Sequence, residues 1–448
     1  MLSLQEVLQS SIKHYPEILQ ARAGIDARRG AVTAAKGVFD LELNQDSYAR
    51  AAGFYDGKIV DTRIQKRIEG TNTQVYGGYR IADGNFPIYE DKLFTNNDGE
   101  FSLGAIFSLL RDRAIDEDRF SLSQRELELK ASTLDLLLTK VSVQHEAMQA
   151  YADWLAAGQI VNVRRDLLEI AQKRQSGLSQ RAARGDVANI FVTENQQYLL
   201  ARQTQLNDAE RDFITTANRL SLYWRDAQGQ PVTPVATLLP KRFPITHSPL
   251  GEHAEEDAMQ RLRARPEFDI LDTSIEQEKN RLALGENRLL PRVNLGVETA
   301  RDYGDGSPTR DETEALVKLN ISIPLQQRAG RGIVAQANAK LKELDYQRRL
   351  LNDRIHAEIK NIVAEINLAE QNVALTESEV KVANIMQRAE QERFTSGASD
   401  FFVVNLREDN VGNARIKQTQ SQLKLFKSVA NYYAATANLA KLGIEDKR

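Results

Sequence analysis

The sequence predicts a mixed α and β fold made of two copies of one unit, a strand hairpin followed by a long helical hairpin. Three observations predict it. The segment His14-Tyr15-Pro16-Glu17-Ile18-Leu19 opens a helical run near the start, and Ala264-Arg265-Pro266-Glu267-Phe268-Asp269-Ile270-Leu271 opens another near the middle. Further on, Arg181-Ala182-Ala183-Arg184-Gly185-Asp186 precedes Ile190-Phe191-Val192, and its counterpart Arg393-Phe394-Thr395-Ser396-Gly397-Ala398 precedes Phe401-Phe402-Val403. Both pairs keep their order at a period of roughly 200 residues, which marks an internal duplication. Finally, each copy joins period-two segments to a helix-compatible stretch too long for a globular core.

Ser3 to about Val38 reads as helix. Ser3 is placed to cap it and Glu6 to complete a capping box. Pro16 predicts a kink or restart at Tyr15. Strand segments follow at Leu41–Tyr48 and Phe101–Leu109, separated by the long connection 49–100. In the second copy, Arg292–Glu298 and Leu316–Pro324 are joined by the short segment 299–315. The first copy is therefore longer because of its hairpin connection, where insertions are best tolerated. The strands alternate: in Val317-Lys318-Leu319-Asn320-Ile321-Ser322-Ile323 every odd position is apolar, and Lys, Asn and Ser lie between. That is one apolar face and one wet face.

From about Arg113 to Gln180 nothing stops a helix except Gly158 and Gly177. Sixty-odd helical residues span on the order of 100 Å, so the helix must lie in a coiled coil or helical barrel. A turn at Gly185 leads to a shorter helix, about Val187 to Tyr223. The second copy repeats this from about Ile333 to Phe394, a turn at Gly397, and about Phe401 to Leu442. Trp224 to Gly251 is rich in Pro and polar residues and reads as a linker or small accessory segment. The organisation is thus a first repeat at 1–224, a linker or equatorial segment at 225–250 and a second repeat at 251–448.

Composition narrows the function. The 448 residues carry a formal charge of −3 and no Cys. No bulk basic field exists for nucleic acid, and disulfides, thiolate catalysis and Cys-ligated metals are excluded together. No apolar run reaches the ~18 residues of a transmembrane helix; a transmembrane β-barrel, whose strands alternate, stays allowed. The chain opens on Met1-Leu2-Ser3-Leu4 and enters a helix at once, so no secretory leader is expected in this numbering, which fits a cytoplasmic chain or a mature start. No phosphate loop or His-Glu-x-x-His occurs; the nearest fragments are His145-Glu146 and Gly330-Arg331-Gly332. The five His (His14, His145, His247, His253, His356) are scattered, although His145 and His356 fall at similar places in the two long helices. No enzyme, cofactor or metal is expected.

The layout resembles the TolC-like outer-membrane efflux protein family over essentially the whole chain. The resemblance rests on the Xaa-Pro-Glu openings (Tyr15-Pro16-Glu17 and Arg265-Pro266-Glu267) and on the strand end Ile323-Pro324-Leu325-Gln326-Gln327-Arg328-Ala329-Gly330-Arg331. It rests also on the paired turns Arg181/Gly185 and Arg393/Gly397. The first copy's strand end, Ile106 to Arg113, lacks the proline. The resemblance implies a homotrimer in the outer membrane, each chain giving four strands to one twelve-stranded barrel and its helices to a periplasmic α-helical tunnel. Physics agrees that several chains must share a barrel, because a four-stranded sheet cannot close and open edges are not tolerated in lipid.

The resemblance also implies roles. The tips, with Arg181, Gly185, Asp186, Arg393, Gly397, Ala398 and Ser399, would dock a periplasmic adaptor protein, itself bound to an inner-membrane transporter. The family often carries acids six and nine positions after each tip glycine, at a periplasmic constriction; those positions here are Phe191, Glu194, Val403 and Leu406. Only Glu194 fits; either the nearby acids Asp400 and Glu408 substitute, or Phe191 and Val403 make an apolar constriction instead. From the alternation itself, Phe101, Leu103, Phe107, Val317, Leu319 and Ile321 should face lipid, and Lys318, Asn320 and Ser322 the lumen. The connection 49–100, with Tyr76-Gly77-Gly78-Tyr79-Arg80, should form an aromatic girdle and outer loop. The expected function is a passive exit duct of a tripartite efflux pump or type I secretion system. A soluble coiled-coil scaffold is the alternative.

Overall fold

The computed structural model describes residues 1–251, 254–261 and 265–444; Ala264 of the second opening and His253 lie outside them. The chain divides into two compact units. One holds Gly24–Thr133 and Asp269–Arg348; the other holds Met1–Ala23, Leu134–Phe268 and Arg349–Arg448.

The first unit is built on a sheet of six antiparallel strands in chain order, β1 (Leu41–Ala49), β2 (Lys58–Ile68), β3 (Thr73–Asp83), β4 (Glu100–Ser108), β5 (Arg292–Asp302) and β6 (Glu314–Ser322). The expected strands are β1, β4, β5 and β6. The count of four per chain is corrected to six: the connection 49–100 is not a loop but carries a hairpin, β2–β3, inserted between β1 and β4. The aromatic-glycine run of residues 76–80 lies inside β3. The cause is local. Thr71-Asn72 turns the chain, with Asn72 at φ 45°, and eleven residues on each side pair in full register from Lys58↔Asp83 to Ile68↔Thr73.

Both strand ends enter the long helices by the same backbone device. Asp112 after β4 has φ 69° and Gln327 after β6 has φ 54°, the left-handed region that non-glycine residues seldom occupy. They occupy equivalent places in the two repeats. Asp112 is held by the buried Asn287, which accepts from the Asp112 N–H at 2.8 Å and donates to its carboxylate at 3.0 Å. Gln327 instead donates to the Leu289 carbonyl at 3.0 Å. Neither turn was legible as a motif.

In the second unit the helices dominate. Helix α1 (Leu4–His14) begins with the expected capping box, Glu6 reaching the Ser3 N–H at 2.7 Å, and α2 (Pro16–Lys36) restarts after Tyr15. Helices α3 (Glu117–Ala183, 67 residues) and α7 (Arg328–Thr395, 68 residues) contribute to both units, and each is followed by a shorter partner, α4 (Asn189–Ser221, 33 residues) and α8 (Phe401–Ala435, 35 residues). The near-identical lengths bear out the duplication. Between α4 and α7 lie α5 (Ala254–Arg261) and α6 (Pro266–Leu289); α2 and α6 also contribute to both units, the greater part of each lying in the first.

Apolar burial concentrates in one cluster of this unit around Trp154, Tyr151, Met148, Leu220, Ile359, Ile366 and Phe426. Segment 225–250 is no free linker: Phe243 is buried in that cluster, and Leu238, Leu239, Ile245 and Leu250 pack on it. Tyr15 stacks on Tyr223 at 5.2 Å. Burial, together with a hydrogen bond to Glu146, pushes the Tyr223 phenol pKa up.

Candidate channel wall and helical tips

Residues opposite one another in an antiparallel ladder point to the same face. Following the register across the sheet, Leu43, Ile64, Gly77, Leu103 and Thr299 form one row. Another runs Val75, Ala105, Val297, Val317. Phe107, Leu295 and Leu319 form a third. The expected lipid-facing side chains therefore share one face. All are exposed, from Phe107 at 36% to Val317 at 69%. The opposite face carries Lys318, Asn320 and Ser322 with Asp61, Arg63, Arg80, Glu100 and Glu298. Arg80 pairs with Glu100 at 2.9 Å. Tyr76 lies on this polar face, its ring over Gly104, where a side chain would collide with it, and its hydroxyl on Glu298. Tyr79 lies on the apolar face, 4.7 Å from the Phe101 ring, which is 5.7 Å from Tyr303. Those three aromatics sit at the sheet end remote from the helix junctions, where β3 finishes and β4 begins, and suit a membrane–water boundary.

At that same end the loops knit together. The buried Asn96 donates its N–H to Asp302 at 3.0 Å and its amide to Asp311 at 2.8 Å, and it accepts from the Ser307 N–H at 2.9 Å. The β3–β4 and β5–β6 connections are thus one folded cluster.

The two tips of the second unit share one backbone capping pattern. Gly185 has φ +81° and donates to the Ala182 carbonyl, while Asp186 donates to Arg181 at 2.9 Å. Gly397 has φ +76° and donates to Phe394, while Ala398 donates to Arg393 at 2.8 Å. Each is a Schellman cap. Nothing lies within 4 Å of where either glycine's Cβ would stand, so conformation, not crowding, calls for glycine here. Arg181, Asp186 and Ala398 are exposed. Arg393 is exposed as well, donating to the Ala398 carbonyl at 3.2 Å and pairing with Glu390, whose carboxylate also accepts from the Ser399 hydroxyl.

The constriction candidates divide. Phe191, Glu194 and Leu406 are exposed and Val403 is half-buried. Asp400 is the N-cap of α8, accepting from the Val403 N–H at 2.9 Å. Glu408 is 2% exposed and bound by Arg174 and Arg202, so it is part of the protomer's interior. Around it, Arg202 reaches Asp409 at 2.9 Å and the Leu167 carbonyl at 2.9 Å, and Arg174 lies 5.2 Å over the Phe401 ring. This network ties α3, α4 and α8 together near both tips. His145 bonds Asn431 at 2.7 Å, and His356 bonds the Asn352 carbonyl of its own helix.

The whole arrangement has solved counterparts. VceC, an outer membrane protein of Vibrio cholerae, superposes with a TM-score of 0.67 at 14% identity, over 97% of this chain and 95% of that one. The open state of the MtrE outer membrane channel of Neisseria gonorrhoeae gives 0.67 at 13% identity, over 98% and 89%. The outer-membrane channel OprN gives 0.65 at 17% identity, over 97% and 89%. This chain has the outer-membrane channel fold. No protein-family model matches the sequence, and no curated protein does.

On that fold, the sequence reading missed three things. The β2–β3 hairpin was hidden by its charges. The Glu408 network was hidden because Arg174, Arg202 and Glu408 lie far apart in the chain. Helix α7 also exposes Leu368 (60%), Leu375 (66%) and Val382 (56%), seven residues apart, the spacing of a coiled-coil seam. That last signal was present in the sequence.

Proposed function

We propose that this chain is the outer-membrane exit duct of a tripartite efflux pump or type I secretion system. The observation that carries the reading is the two-faced sheet. Six strands of 9–11 residues, the length of a tilted membrane strand, share one apolar and one polar face. Phe101, Leu103, Phe107, Val317, Leu319 and Ile321 then face lipid and the polar face lines the lumen. Among the described residues β1 and β6 each have only one neighbour, and a bilayer does not tolerate an open edge, so copies must share a barrel. The Leu368–Leu375–Val382 seam supports contact between copies along α7. The resemblance of the sequence to the TolC-like family makes that assembly a homotrimer.

The duct has no reaction of its own; an inner-membrane transporter supplies energy through a periplasmic adaptor docked at the tips around Arg181, Gly185, Asp186, Gly397 and Ala398. Phe191, Val403 and Leu406 with Glu194 form the periplasmic constriction, which is chiefly apolar and therefore insensitive to divalent cations. Purified protein reconstituted in a planar bilayer should conduct ions and run as a heat-labile trimer in mild detergent. A monodisperse monomer without detergent would sink this reading and favour the soluble scaffold.

A further inference from the structure

We propose that the assembled duct has an eighteen-stranded wall, because the β2–β3 hairpin is part of the barrel itself. The inference rests on the exit-duct reading with three chains per barrel. It begins from the hydrogen-bond order. β1 pairs with β2, β3 pairs with β4, and β1 and β4 do not meet. Lifting the hairpin out would leave two open edges within one chain. The hairpin also obeys the two-faced pattern. Val60, Ile64, Val75 and Ile81 fall on the apolar face, in register with Ser47, Leu43 and Ala105 of the neighbouring strands. Asp61, Arg63 and Gln74 fall on the polar face. Its strands, at eleven residues each, have bilayer-spanning length. The charged Lys58 and Lys66 on the apolar face stand close to the two ends of β2, where long side chains reach the headgroups. A six-stranded sheet is too small to close alone, since the smallest membrane barrels have about eight strands; three copies close at eighteen.

The consequence is a wide pore. Barrel diameter grows roughly in proportion to strand number, so eighteen strands make a barrel about one and a half times as wide as twelve would, in the range that encloses an aqueous channel. The barrel section of the duct would have about twice the cross-section of a twelve-stranded one, while the periplasmic constriction would still set the largest solute that passes.

The chain has no Cys, so single cysteines can be introduced cleanly. Nitroxide labels at V60C, I64C, V75C and I81C, in the full-length protein reconstituted in phosphatidylcholine vesicles, should collide with oxygen at least several-fold more than with a water-soluble nickel chelate. Labels at D61C, R63C and Q74C should show the reverse. L319C and V317C serve as controls. If the controls report lipid while every hairpin position reports water, the hairpin stands outside the wall and the proposal falls, with the duct reading intact. If the controls also report water, the duct reading falls with it. A cryo-electron microscopy projection down the trimer axis gives the second measurement, and a wall of twelve strands in it would overturn the proposal.

Discussion

At the scale of single residues, chemistry decides where a side chain can stand. Leu319 lies in the middle of β6, exposed on the apolar face with Leu295 opposite. Leu319→Lys should destabilise the assembled barrel by roughly 2–4 kcal/mol if it sits at the bilayer midplane, and far less near either interface; urea titration in vesicles measures it. Lys318→Leu, one position along on the wet face, should leave stability nearly unchanged. Asp112 offers a second test. Asp112→Ala keeps the left-handed backbone but strips the buried Asn287 of a carboxylate acceptor, at about 1–3 kcal/mol for the unmet donor. Gln327→Ala loses one hydrogen bond to a carbonyl, about 0.5–1.5 kcal/mol. Urea midpoints of the two variants should rank Asp112→Ala as the weaker protein; equal midpoints would show that Asn287 finds another partner.

At the scale of elements, some of the fold was legible and some was not. The long helices could be read because nothing in 117–183 or 328–395 interrupts a helix, and length alone excludes a globular core. The tips could be read because a Schellman cap calls for glycine at one position, and Gly185 and Gly397 repeat the same flanks. Strands β5 and β6 showed clean alternation. Strand β2 did not: Lys58, Asp61, Arg63, Lys66 and Arg67 crowd eleven residues, and Ile59 stands on the polar face. In β3 the pair Gly77-Gly78 imitates a loop, although Gly104 opposite Tyr76 shows that small residues here make room for a ring. The candidate site was half legible for the same reason. Local caps leave a local signature, whereas Glu408 reads as a free acid until Arg174 and Arg202 are folded against it. Gly397→Val should strain a turn that needs positive φ by about 1–3 kcal/mol, weaken adaptor binding and leave the trimer intact. Pull-down of the adaptor alongside gel analysis of the trimer checks both. Normal docking would show that the turn is only a cap.

At the scale of the whole molecule, the two repeats are unequal partners in one sheet. Four strands come from the first and two from the second, and β4–β5 is the ladder that joins them. A chain cut after residue 224 would therefore keep a complete four-stranded meander but expose β4, an interior strand, as an edge. Such a fragment should form large heterogeneous oligomers in place of a discrete species, because β4 would accept any free strand. Size-exclusion chromatography in detergent tests this; co-expression of 225–448 should restore the discrete form. Recovery of a homogeneous fragment alone would show that the edge is protected in some other way.

The order of the strands along the chain also sets a timetable. Domains are made from the N-terminus at about 5–20 residues per second, so β1 to β4 emerge well before β5. Between them come residues 109–291, which hold α3, α4, α5 and α6. Until β5 joins it in the membrane, β4 waits with its hydrogen-bonding groups unmatched, and β1 of a neighbouring chain could take the place of the proper β5. A holdase that binds extended apolar segments would be needed by the finished chain until all six strands have met in the membrane.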